Sequence, residues 1–113
     1  MIYVAHKYGG KFWNIIRAWI ITRKLALANP NETYVCPLLA FMYLRYGELG
    51  KKNDMRICTD MLGECKRMVI ASKVSSGIQE EIDFCNEWEI PIEFYKQKVE
   101  TIWQRIYHKL FPI

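Results

Sequence analysis

Four short apolar runs punctuate the chain: MIYVA at Met1–Ala5, TYVCPL at Thr33–Leu38, RMVIAS at Arg67–Ser72 and IPIEFY at Ile90–Tyr95. Helix-length amphipathic stretches separate them, and this alternation constrains the fold more than any other feature. Short apolar runs of that length suit strands, and MIYVA, ended by Gly9-Gly10, suits a buried first strand. Strands alternating with helices call for crossovers that lay helices against a parallel sheet. The expected class is therefore α/β: a three-layer, doubly wound (Rossmann- or flavodoxin-like) parallel sheet of four to five strands, with an extra C-terminal helix.

The first helical stretch, Lys11–Asn29, sets Phe12, Trp13, Ile15, Ile16, Trp19, Ile20 and Leu27 on an apolar side, with Arg17 and Lys24 opposite. It stops at Asn29-Pro30-Asn31, a strong breaker. Leu39–Tyr46 reads as loop or short helix. Asp54–Cys65 has helical spacing through Met55, Cys58, Met61, Leu62 and Cys65, with Asp54 as its N-cap. Ser76–Glu89 is a third helix. In Gln97–Leu110 a stripe of Val99, Ile102, Trp103, Ile106, Tyr107 and Leu110 marks a fourth. Trp13, Trp19 and Trp88 read as core residues. Residues 1–95 form one α/β unit, and 96–113 supply an amphipathic helix packed on that unit or at a subunit interface. In open parallel sheets ligands bind beyond the carboxyl ends of the strands. Those ends are His6–Gly10, Pro37–Phe41, Ala71–Gly77 and Tyr95 onward.

Composition narrows the function classes. The 113 residues make one domain with a net charge of +4. That charge is too mild to imply duplex nucleic acid, yet it favours small anionic ligands. The longest apolar runs are interrupted by Arg17, Arg23 or Arg45, so no membrane partner is expected. Cys36, Cys58, Cys65 and Cys85 contain no CxxC pair and only two histidines accompany them, so no metal site is expected. Without a signal peptide they read as four reduced thiols in a cytoplasmic protein. No cofactor fingerprint is present. Gly9-Gly10-Lys11 ahead of a helix is either a turn that needs glycine or an anion cradle.

The pair Glu80-Glu81 separates on a helical wheel from Ser76. Ile78, Ile82, Phe84, Cys85 and Trp88 form one apolar arc, and Glu81 falls inside it while Glu80 does not. Glu80 suits a solvated position near a helix N-terminus. An ionised carboxylate on the sheet-facing side costs several kcal/mol unless partners compensate. Glu81 therefore either caps amides or pairs with an arginine, or it serves a strand-end cleft beside Ser75, Ser76 and Gly77. Exposed amides at a helix start suit a phosphate.

These residues carry a resemblance. IYVAH-x-YGG at Ile2–Gly10, CPLLAF at Cys36–Phe41, YGE at Tyr46–Glu48, Cys58–Cys65, S-x-G-x-x-x-E-I at Ser75–Ile82 and IPI at Ile90–Ile92 together resemble the nucleoside 2-deoxyribosyltransferase superfamily. The similarity is to its small branch common in bacteria and phages, which reads roughly IAHPYGG, SPLHAF, YGE, C-x-D-LL-x-x-CD, S-x-G-x-x-x-E and IPI. It covers residues 1–95. The resemblance implies cleavage of an N-glycosidic bond through a glutamate nucleophile, matched by Glu81. Tyr3 matches the tyrosine that orients it, and Ser75 and Gly77 match sugar or 5′-phosphate contacts. The chain departs from the pattern at Leu39, where the branch has histidine, and at Lys66, where it has aspartate. Asp60 is then the best remaining second carboxylate, with Glu48 and Asp54 behind it.

The expected function is an N-glycosidase or transferase acting on a nucleoside, nucleotide or ADP-ribose-type nucleotide, with Glu81, Tyr3 and Asp60 catalytic. His6, Tyr8, Gly9, Gly10, Ser75, Ser76 and Gly77 would bind substrate, with no cofactor required. A homodimer is expected by analogy with the family. Two rival readings remain open: a nucleotide-binding or sequestering module without turnover, and a phage-borne interaction protein with a vestigial cleft. A Cys36–His6 nucleophile pair is set aside because no cysteine-hydrolase signature accompanies it.

Overall fold

The computed structural model describes residues 1–44, 48–96 and 109–110. Strands β1 (Ile2–Ala5), β2 (Tyr34–Val35), β3 (Arg67–Ile70) and β4 (Ile92–Phe94) form one sheet in the order β2-β1-β3-β4. All pairings are parallel: Ile2 lies opposite Tyr34 on one side and Arg67 on the other, and Ile70 opposite Phe94. Helices α1 (Phe12–Ala28), α2 (Pro37–Ala40), α3 (Lys51–Gly63) and α4 (Ser76–Glu87) make the connections. The α/β class with a parallel sheet is as the alternation of runs predicts. From β1 the chain moves outward to β2, and from β3 it moves the other way to β4. The carboxyl ends of β1 and β3 thus flank the point where the winding reverses, the usual ligand crevice of such sheets.

The layers follow from side-chain alternation in β1, all of whose residues are buried. Tyr3 and Ala5 pack with Leu62 of α3 and with Ile78 and Cys85 of α4. Val4 points the other way, to Ala18 and Ile21 of α1 and to Cys36. Helices therefore cover both faces, α3 and α4 on one and α1 on the other.

Local chemistry sets the boundaries. Pro37 lacks an N–H and sits at the first position of α2, so β2 stops after two residues. The expectation of Asp54 as an N-cap is corrected: α3 starts earlier, capped by Gly50 at φ +87°, and Asp54 lies in its first turn. The Lys51–Asn53 stretch carries no apolar residue, so hydrophobic periodicity first shows at Met55. Ser75 caps α4, its Oγ accepting from the Ile78 N–H at 3.2 Å.

The facing of α1 is a second correction. Its inward stripe is Asn14, Ala18, Ile21 and Leu25, while Trp13 and Trp19 are exposed, as is Trp88 beyond α4. A helix with apolar residues nearly all round does not reveal by periodicity which stripe meets the sheet. Here the small Ala18 lets α1 approach, and the bulky rings turn outward. The expected helix Gln97–Leu110 lies almost wholly outside the described residues.

Candidate functional site

Ile78, Glu81 and Cys85 are the buried residues of α4, spaced three and four apart on the stripe that meets the sheet. Glu81 is 8% exposed, about one and a half turns below the Ser75 cap. Tyr3 of β1 rises from the sheet beneath it, fully buried. The phenol and the carboxyl are near enough to shift each other's protonation. Their geometry falls short of a hydrogen bond, however, and Tyr3 Oη and Glu81 Oε2 are both buried with no partner among the described residues. Orphaned buried polar atoms are rare in folded proteins. Here two of them lie on neighbouring elements, the sheet and the helix packed on it.

Electrostatics at this pair follow from burial. Loss of solvent raises the Glu81 pKa to about 7; the Tyr3 phenol pulls it down and Glu80 pushes it up. Burial, then the Glu81 charge, holds the Tyr3 hydroxyl well above its ordinary range, so it stays a neutral donor. Cys58 of α3 completes the cluster. Its thiol is raised to about 11 by burial and by Glu81, and Tyr3 draws it down. Cys36, before α2, is raised as well, mainly by burial. Neither thiol is a thiolate near neutral pH, so they line the site as small apolar groups rather than nucleophiles. All four cysteines are unpaired.

The β1–α1 turn forms the rim. His6 is buried, with Nδ1 donating to the Lys7 carbonyl at 2.8 Å and Nε2 without a partner. That bond places the proton on Nδ1 and leaves Nε2 as a lone-pair acceptor. Burial lowers its pKa, the Lys7 carbonyl raises it, and Arg17 and Lys7 lower it further. A neutral imidazole is a poor proton donor at pH 7, so the site offers an acceptor here. Gly9 and Gly10 have φ +57° and +72°, left-handed values that favour glycine, and a Cβ on either would meet nothing within 4 Å. The turn therefore needs glycine and also leaves open space above its backbone. Buried Asn14 holds it shut, Nδ2 donating to the Tyr8 carbonyl at 2.8 Å. Across the winding reversal, the Lys7 N–H donates to Ser72 Oγ at 2.9 Å and joins the β1 and β3 ends.

The structure brings Glu81 and Tyr3 together and sets Ser75, Ser76 and Gly77 at the start of the same helix. Ser75 already serves as a cap. Gly77 is half-buried, and a Cβ there would touch Met55 Cε at 3.8 Å, in ordinary contact. Asp60 does not join them. It faces solvent on α3 and pairs with Arg56 at 3.1 Å. Two residues beyond the inward Cys58 the helix has turned about 200°, which carries Asp60 to the outer side. Lys66 stands at the opposite end of the sheet: its N–H donates to the Met1 carbonyl and its ammonium pairs with Glu32 at 2.6 Å. The lysine therefore removes no group from the strand-end crevice. Cys58, Asn14 and Ser72 escaped the sequence reading. Only Asn14 left a signal, as the one polar residue in the Asn14-Ala18-Ile21-Leu25 spacing.

Among the described residues no group of three His, Cys, Asp or Glu side chains converges on a metal position, and no helix is long and apolar enough to cross a membrane. No protein-family model matches the chain, and no characterised protein or solved structure matches it either.

Proposed function

We propose that the protein cleaves or transfers at the N-glycosidic bond of a nucleoside, nucleotide or ADP-ribose-type nucleotide, with Glu81 as nucleophile and Tyr3 as its positioning residue. One observation carries this reading: a buried carboxyl and a buried phenol, both unpartnered, meet below the N-terminus of α4. The resemblance of Ser75–Ile82 and Ile2–Gly10 to the nucleoside 2-deoxyribosyltransferase superfamily supports it. The ionised Glu81 oxygen bonds to the anomeric carbon as the carbon–nitrogen bond breaks. The electron pair leaves with the base, which takes up a proton, and water or a second base then displaces the glutamyl ester. The Tyr3 hydroxyl bonds to the carboxylate and fixes its rotamer while substrate excludes water. The Gly9-Gly10 turn and the Ser75–Gly77 helix start hold the sugar and any 5′-phosphate. The reading includes a cytoplasmic homodimer and requires no cofactor.

A second reading, a nucleotide-binding module without turnover, is favoured by the placement of Asp60. With Asp60 outward and His6 held neutral, neither of these two residues is an acid ready to protonate the departing base. Incubation with a panel of nucleosides, 5′-nucleotides and ADP-ribose-type nucleotides separates the two. Turnover releases free base in the wild type and at least about a hundredfold less in Glu81→Ala. Calorimetric binding with no released base supports the module. Equal release by wild type and Glu81→Ala removes the glutamate mechanism.

A further inference from the structure

Charge is unevenly placed about the sheet. Lys7, Lys11 and Arg17 belong to the β1–α1 turn and the first turns of α1, Lys51 and Lys52 open α3, and Lys73 follows the end of β3. Lys7 and Arg17 both disfavour protonation of His6, which places them over the end of β1. The start of α3 lies beside that of α4, since Met55 reaches Gly77. These cations therefore share the carboxyl end of the sheet, and none of them joins an ion pair among the described residues. At the amino end Lys66 and Arg67 are held by Glu32 and Glu93. Apolar surface sits among the free charges. Met42 and Tyr43, in the connection from α2 to α3, are 60% and 74% exposed, and Val74 beside Lys73 is 45% exposed. The Tyr43 ring stands edge-on to Phe41 at 6.2 Å.

We infer that this end of the molecule binds a single-stranded polynucleotide, the lysines and Arg17 taking its phosphates and Tyr43 stacking on a base. Cations interleaved with exposed aromatic rings are the surface that a single strand uses. A lone phosphate does not account for their spread. Helices α1 and α3 cover opposite faces of the sheet, so their first turns are on the order of 20 Å apart, two layer spacings. One nucleotide cannot neutralise both groups, whereas a chain of phosphates can. A duplex suits the surface less well. Its bases are already stacked on one another, and a nucleotide bound for the crevice would first have to be unpaired and turned out. Strand binding rests on this charge and not on the glycosidic reading; with both, the nucleotide that reaches Glu81 is one unit of a strand.

Fluorescence anisotropy of the whole chain with a labelled oligodeoxythymidylate of about twenty nucleotides tests this, because anisotropy reads binding whether or not base is released. Affinity is expected to fall with salt at a log–log slope of about −3, as for roughly four phosphate contacts on a single strand. Lys11→Gln and Lys51→Gln are each expected to lessen that slope by about 0.7. Tyr43→Ala is expected to weaken binding about tenfold. Arg23→Gln removes an exposed cation from the other half of α1 and is expected to change neither slope nor affinity. These side chains are all exposed, so circular dichroism should not change. Absence of saturable binding overturns the inference. Equal losses in Arg23→Gln and Lys11→Gln overturn it too, since net charge alone would then be responsible. A duplex or an anionic phospholipid vesicle bound as tightly as the strand also overturns it, as does thymidine monophosphate competing at the strand's own affinity. Strand binding without any base release would remove the glycosidic reading and leave this one standing.

Discussion

An ordinary glutamic acid titrates near 4.5, but Glu81 is raised to about 7, first by burial. The folded chain therefore binds this proton more tightly than the unfolded chain does. The associated stability is fully present below about pH 4.5 and is lost as pH rises through 7, a swing on the order of 3 kcal/mol. Glu81→Gln removes the titration while keeping the shape. The variant is expected to exceed the wild type in urea stability at pH 8 by up to about that amount, with only a small gap at pH 5. An equal gap at both pH values would mean the carboxylate is already compensated. The inward position of Glu81 was legible from wheel arithmetic alone, because Ile78 and Cys85 define the stripe without reference to the rest of the chain. Its company was not. Cys58 comes to the carboxylate only through the packing of α3 beside α4, and Tyr3 was named through the family resemblance rather than through its own pattern.

At the scale of elements, α4 depends on its first turn. Ser75→Ala deletes the bond to the Ile78 N–H and is expected to cost about 1 kcal/mol in chemical denaturation, with Ser75→Asp restoring most of it. If Ser75 also holds a substrate phosphate, Ser75→Asp recovers stability but not affinity, since a second negative charge then faces the anion. Elements were easiest to read where a residue type dictates backbone geometry. Asn29-Pro30 ended α1, and Ser75 began α4. They were hardest where composition is uniform. The outward rings of α1 looked like core because hydrophobic bulk, not fit to the sheet, dominates a wheel. Ala18, the residue that does fit, has almost no hydrophobic signature of its own.

Across the whole molecule, the two ends of the sheet have different work. The carboxyl ends of β1 and β3 gather His6, the glycine turn and the start of α4, while the amino ends carry Lys66 and its pairing with Glu32. Lys66→Ala is therefore expected to leave any base release unchanged and to cost less than about 1 kcal/mol, as an exposed ion pair does. A loss of activity in that variant would bring the residue back into the chemistry despite its place. The parallel sheet was legible because four apolar runs separated by helices admit few arrangements. Which residues share an end was legible as well, since winding alone sets it. The distance from Glu81 to the rim was not, because it depends on how far α4 runs down the sheet before its inward stripe reaches Tyr3.

The bond from the Lys7 amide to the Ser72 hydroxyl, next to that from the Ala71 amide to the Ala5 carbonyl, carries the pairing of β1 and β3 past the strand ends, between segments 65 residues apart in sequence. Displacing either segment alone breaks both bonds. Ser72→Ala removes the hydroxyl's share of that junction and is expected to speed amide exchange at Lys7.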